Sequence, residues 1–132
     1  MIASYYNNYY LSNFVSSLSN SKYNKTVSIQ SYINVYPILN ILVQEGFIYN
    51  YKNQQNNNIL LYLKHFKNKP VINRINLIST LSKIKTITFL DLKKHIMYSK
   101  GSLLILSTNF GILSGSEAYK KKIGGILLLK IN

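Results

Sequence analysis

The residues best suited to bind a partner lie between Leu104 and Ile131, in the stretch LILSTNFGILSGSEAYKKKIGGILLLKI. Ser107, Thr108 and Asn109 put two hydroxyls and an amide on consecutive residues, and Phe110-Gly111 comes next. Small polar groups beside a glycine let the backbone turn sharply and approach a ligand closely. Their hydroxyls and free N–H groups can bond phosphate oxygens, sugar hydroxyls or base edges. Ser114-x-x-Glu117 has the spacing of a capping box and fixes where a helix begins. The free N–H groups and dipole of such a helix end attract anions. Lys120, Lys121 and Lys122 fall in the last turn predicted for that helix, within reach of phosphates. Gly124-Gly125 then lets a return strand come close.

Other chemistry has little to work with. The chain has no Cys, which excludes thiolate zinc sites, disulfide scaffolds and cysteine nucleophiles. Glu45, Asp91 and Glu117 are its only carboxylates, too few for paired acid–base work. His65 and His95 stand in the sequence without carboxylate or Cys company, so no metal site, cofactor or catalytic constellation is expected. There is no apolar run of about 18 residues, and so no expected membrane span. Met1 to Tyr10 lacks Lys and Arg and fits neither a secretory signal nor an Arg-rich transit peptide.

Charge points to a polyanion. Sixteen basic side chains face 3 acids, a net charge of +13, in a chain of 132 residues that is 47% hydrophobic. That length suits one domain or two very small ones. Residues 1–50 carry Lys22 and Lys25 against Glu45, whereas residues 51–132 carry fourteen basic residues against Asp91 and Glu117. Nucleic acid is the first reading of this imbalance, and an anionic membrane surface the second. Only Arg74 is arginine, and Asn, Ile, Lys and Tyr dominate the chain. These residues have AT-rich codons, so part of the lysine content reflects genome composition.

Spacing predicts the elements that position these residues. Leu11, Phe14, Val15 and Leu18 predict a helix over 9–20. Val27 and Ile29 predict a strand over 26–30. A second helix over 32–45 either starts near Tyr36, with Pro37 in its first turn, or kinks there. Gly46 ends it as a left-handed cap. Strands are predicted next over 47–51 and 59–66, joined by a polar turn over 54–58. Lys67 to Pro70 is the best boundary candidate, which divides the chain into 1–68 and 69–132. Beyond it, a strand is predicted over 71–78, and a basic loop with Lys83 and Lys85 enters a strand before Phe89. A helical turn over 91–97, a buried strand over 102–107, a helix over 114–123 and a last buried strand over 126–131 complete the chain. The fold class is α+β: an N-terminal αβαββ unit and a C-terminal, mostly β module with a short helix.

The 104–131 window resembles the C-terminal signature of the bacterial-type small-subunit ribosomal protein eight family. There a strand leads into Ser-Thr-Ser-Lys-Gly, then a Thr-Asp-x-x-Ala helix, then Gly-(Val/Leu)-Gly-Gly-Glu and a final strand. Ser107, Thr108, Gly111, Ala118, Gly124 and Gly125 match. Upstream, Leu11 to Asn20 resembles the family's leading helix, and Ile38 to Ile48 resembles a helix ending Glu-Gly-Phe-Ile. The likeness covers about residues 9 to 131. Asn109 and Phe110 replace the loop's third Ser and its Lys. Ile126 replaces the Glu expected to brace that loop. Ser17 and Ser19 stand where the first helix has arginines, and Ile33 and Val35 where lysines precede the second. Phe89 stands in for an aromatic expected near Thr88.

The resemblance implies a structural constituent of the small ribosomal subunit, not an enzyme. It would bind the central domain of small-subunit rRNA directly through residues 69–132 and support folding and assembly. The RNA-binding set it implies is Ser107, Thr108, Asn109, Gly111, Ser114, Lys120, Lys121, Lys122, Gly124 and Gly125, with Lys83 and Lys85. Partners would be rRNA and neighbouring small-subunit proteins, with no membrane, small-molecule substrate or cofactor. The bacterial type, the codon bias and the lack of a visible targeting peptide point to an organelle-encoded mitochondrial protein; a plastid or a bacterial cytoplasm is the alternative. A non-ribosomal RNA-binding assembly factor is the competing function. Tyr5, Tyr6, Tyr9 and Tyr10 are suited to stacking on bases or to ordinary packing.

Overall fold

The computed structural model describes residues 2–32, 35–80, 82–98 and 102–132, with side chains from Tyr9 onward. Expectations that fall on Ile33, on Leu81 and on the side chains of Tyr5 and Tyr6 lie outside the described residues. The chain is α+β and divides into two compact units, Met1–Ile75 and Asn76–Asn132.

In the first unit, α1 (Ile2–Ser21) precedes β1 (Thr26–Gln30), α2 (Val35–Gln44), β2 (Ile48–Asn53) and β3 (Asn58–Leu63). The strands form an antiparallel sheet in the order β1-β3-β2. Leu11, Phe14 and Leu18 are buried along one stripe of α1, and Val35, Ile38, Leu39, Ile41 and Leu42 along α2. Pro37 is the third residue of α2, where its missing N–H leaves no intrahelical bond unmade. Past α2, the Phe47 N–H reaches the Leu42 carbonyl at 3.0 Å and the Gly46 N–H reaches that of Val43 at 3.2 Å, with Gly46 at φ +83°. This is a Schellman closure.

Two expectations in this unit need correction. The strand predicted over 59–66 breaks at Lys64, and His65–Phe66 (β4) pairs instead with Lys69–Pro70 (β5). The cause is Lys67-Asn68, both left-handed (φ 52° and 64°), which close a two-residue hairpin. The strand predicted over 71–78 shrinks to Ile75–Leu77 (β6). Its first residues are engaged elsewhere: the Val71 N–H bonds the Lys64 carbonyl at 3.0 Å, and the Asn73 carbonyl accepts from Lys22 Nζ at 2.7 Å.

In the second unit, β7 (Thr86–Ile87), α3 (Phe89–Tyr98), β8 (Leu103–Thr108), β9 (Gly111–Ser114), α4 (Gly115–Lys120) and β10 (Gly125–Ile131) come after β6. The sheet runs β6-β10-β8-β9, with β7 also paired to β10. Leu103 to Leu106 are all buried, as the continuous apolar run predicts for a strand covered on both faces. Leu104 and Leu106 pack with Leu92 and Ala118, and Ile87, Tyr119, Ile123 and Leu127 close around them. β10 is less buried than its composition predicts: Leu129 and Ile131 are inside, and the rest of the strand is half-buried. The helical turn predicted over 91–97 is a full helix of 10 residues, started by Thr88, whose Oγ1 accepts the Asp91 N–H at 3.3 Å.

Among the described residues, no helix is long and apolar enough to cross a membrane. Among the described residues, no group of three His, Cys, Asp or Glu residues could hold a metal ion.

His95 on α3 gives a pH test. Its Nε2 is buried without a hydrogen-bond partner among the described residues. Burial, then the nearby Lys130 charge, lowers its pKa below the ordinary 6.5. The unfolded chain therefore binds a proton more readily than the folded one, so stability falls as pH drops below about 6.5. Thermal melts at pH 7.5 and 5 should show this loss, and His95→Gln should reduce it.

Candidate nucleic-acid interface

Strand β8 carries the candidate residues to one end of the second unit's sheet. Ser107 and Thr108 are its last residues, Asn109 and Phe110 form the turn, and Gly111 opens β9, with Thr108 paired to Gly111. The Ser107–Gly111 segment is thus the tip of a β-hairpin, not a loop running directly into a helix. Strand β9, at four residues with a glycine at its head, is too short to show a readable period. Thr108 Oγ1 donates to the Gly111 carbonyl at 2.8 Å and accepts the Phe110 N–H at 3.1 Å. That hydroxyl is engaged in shaping the turn. Ser107 and Asn109 differ. Among the described residues neither side chain has a partner, Ser107 being half-buried and Asn109 exposed.

Ser114 ends β9 at the other end of the hairpin. It is only 2% exposed, and its Oγ accepts the Glu117 N–H at 3.3 Å, the cap that the sequence predicts. The helix it starts is shorter than expected. Lys120 is its last residue, Lys121 is its cap, and Lys122 takes a left-handed φ of 58°. The Lys122 N–H meets the Tyr119 carbonyl and the Ile123 N–H meets that of Ala118, both at 3.1 Å. This is the same closure as at α2, with a lysine in the position usually given to glycine. All three lysines are exposed. Lys121 Nζ lies 5.0 Å from the centre of the Phe110 ring, a cation–π contact that ties the lysine corner to the hairpin tip.

Gly124-Gly125 sets how closely these parts approach. A β-carbon on Gly124 would lie 2.3 Å from the Ile87 carbonyl oxygen, and one on Gly125 would lie 2.5 Å from that of Ser107. Ile126 pairs with Ser107 on one side and with Thr86 on the other. Ser107 to Gly111, Gly124, Gly125 and Lys121 therefore converge on one end of the sheet.

Lys83 and Lys85 belong to a separate loop. Lys83 and Thr80 exchange backbone bonds at 2.9 and 3.2 Å, and the Lys85 carbonyl accepts the Leu127 N–H at 2.9 Å. Buried Ser79 clips this loop down: its Oγ accepts the Lys85 N–H at 3.0 Å and bonds the Lys85 and Leu127 carbonyls. Sequence reasoning missed Ser79, because nothing local distinguishes it from Thr80 or Ser82. The Lys121–Phe110 contact was equally invisible, since it depends on how the hairpin and α4 fold back on each other. Charge alone does not select this unit. Residues 1–75 carry seven basic side chains against Glu45, and residues 76–132 carry nine against Asp91 and Glu117.

Comparison with known proteins adds a lineage to this geometry. The family model described as "Ribosomal protein S8" matches residues 10–132. The chain is 37% identical over 95 residues to the small ribosomal subunit protein uS8m of Acanthamoeba castellanii, covering 72% of this chain and 75% of that one. It is 37% identical over 92 residues to the small ribosomal subunit protein uS8 of Desulfovibrio desulfuricans, 69% and 70% of the two chains. Against uS8 of Borreliella afzelii it is 34% identical over 98 residues, 71% and 73%.

The glycines of this region should separate by mechanism. Gly125→Ala forces a β-carbon into backbone and should cost about 1–3 kcal/mol, as overpacking does. Gly111→Ala meets open space and carries only the penalty of its φ of +102°, about 1 kcal/mol. Urea titration of both variants should give that order.

Proposed function

The chain belongs to the ribosomal protein S8 family, and from that premise we propose that it is a structural constituent of the small ribosomal subunit that binds rRNA through the Asn76–Asn132 unit. The observation that carries this is the convergence of the Ser107–Gly111 hairpin tip, Gly124-Gly125 and Lys121 on one sheet end. Ser107 and Asn109 offer the unengaged polar groups there, and these read the RNA. A regular RNA helix keeps its major groove closed to side chains, so contact falls on 2′-hydroxyls, base edges and irregular backbone, where a rigid polar tip fits. Thr108 and Ser114 act from within, one shaping the turn and the other capping α4. Lys120, Lys121 and Lys122 supply the salt-dependent share of affinity. Lys83 and Lys85 extend the positive rim from the clipped loop. Neighbouring small-subunit proteins are the remaining partners.

The subunit we infer is the mitochondrial one. Support comes from the relative named uS8m and from the AT-leaning composition, while bacterial relatives are similarly close. Sedimentation separates the ribosomal reading from that of an assembly factor: the chain should stay with the small subunit through a high-salt wash, whereas a factor comes off.

Filter binding to small-subunit rRNA over a salt series tests the roles. Ser107→Ala and Asn109→Ala should each weaken binding about tenfold, the scale of a lost hydrogen bond to a charged or polar group, with the salt slope unchanged. Lys121→Gln should lower the slope by about one phosphate contact. No loss in Ser107→Ala would overturn the assignment of the tip.

A further inference from the structure

The first unit holds a sheet edge with a groove beside it. Among the described residues, β1 is an edge strand, paired only with β3. The bonds flanking it fix its phase: the Leu63 N–H reaches the Lys25 carbonyl at 2.9 Å, and the Ser31 N–H reaches that of Asn57 at 2.7 Å. Odd-numbered residues therefore turn their backbone groups toward β3. Thr26, Ser28 and Gln30 turn theirs to the free edge. Among the described residues, no backbone group pairs with them there.

A groove of about 650 Å³ runs along this edge, and it touches all five consecutive residues of β1. A cavity on one face of a sheet would touch every second residue, because side chains alternate. Contact with all five marks an opening that runs with the edge itself. The far wall is the polar flank of α1, where Asn13, Ser17 and Asn20 recur at helical spacing. No residue lining the groove carries a charge, in a chain of net +13. A phosphate backbone would find no counter-charge among its lining residues. Main-chain donors and acceptors at strand spacing, facing a neutral wall of hydroxyls and amides, instead complement another strand.

We propose that this groove takes up an extended segment of a neighbouring protein as an added strand on the free edge of β1. Five residues at about 3.3 Å each give an edge of about 17 Å, so the segment is about five residues long. It exchanges main-chain bonds with Thr26, Ser28 and Gln30. Its alternate side chains, small or uncharged polar, face Asn13, Ser17 and Asn20. The proposal rests on the small-subunit assignment only for where the partner is met.

The test uses the full chain assembled into its small subunit, with a photo-cross-linking residue in place of Asn20. The expected result is an adduct to one contiguous segment of one protein, with slowed amide exchange at Thr26, Ser28 and Gln30 relative to the free chain. Ser28→Pro removes an edge N–H while leaving the β3 ladder whole, and should cut adduct yield by at least about tenfold. Ser17→Trp fills the groove from the helix side and should do the same, which keeps the test decisive if the proline variant fails to fold. An adduct to RNA overturns the proposal, as does unchanged exchange at the three amides. Free Ser17→Trp should bind rRNA within about twofold of the parent, the effect usual for a distant surface change. Failure of the RNA reading would thus appear in the parent chain's filter binding, and failure of the groove in the adduct.

Discussion

Everything in the second unit depends on how closely three backbones pass at Gly124-Gly125. With no β-carbon at either position, β10 can lie against the carbonyl of Ile87 on one side and that of Ser107 on the other. This contact brings the β8–β9 tip, the start of α3 and the lysine end of α4 to one place. Any larger residue would push at least one of them away. The two glycines thus act through packing, and their bearing on a ligand is indirect: they decide where Ser107 and Asn109 stand.

The tip itself is built by dividing labour among similar groups. Four small polar residues look alike in the sequence, yet Thr108 and Ser114 hold the backbone while Ser107 and Asn109 stay unengaged. Recognition needs both kinds. An unengaged hydroxyl on a loose loop would lose ordering entropy on binding, and a rigid tip with every group satisfied would have nothing to offer. Phe110 extends this economy. It is 67% exposed and holds the Lys121 ammonium over its ring. A positive charge is thereby held at the tip, supplied from the end of α4.

Much of the scaffold was legible because its signals are local. The alternation Val27–Ile29, the Pro37 constraint and the Gly46 cap each fix an element within a few residues, and the structure has all three. What escaped depends on partners distant in sequence or on very short runs. The Lys67-Asn68 turn takes two non-glycine residues into left-handed space and so ends a strand that the hydrophobic pattern would carry on. β9 has one turn residue and two apolar ones to announce it. Ser79 is a buried clip whose partners lie on β10 and on the loop it holds. The capping box marks where α4 begins but not where it ends, because Lys122 adopts a conformation that composition assigns to glycine. At the candidate interface, the sequence singled out the 104–131 window and could not distinguish engaged hydroxyls from free ones.

Ile126 shows what holds the tip in place. It lies directly between Ser107 and Thr86 on the sheet. An isoleucine there can offer only its backbone and its shape. Orientation of Ser107 must then come from the ladder, from the close passage at Gly125 and from the Thr108 turn. All of these are main-chain or local constraints. A tip held this way depends on packing precision more than on side-chain bonding. That makes the paired glycines, not any single polar residue, the element whose geometry the proposed binding surface inherits.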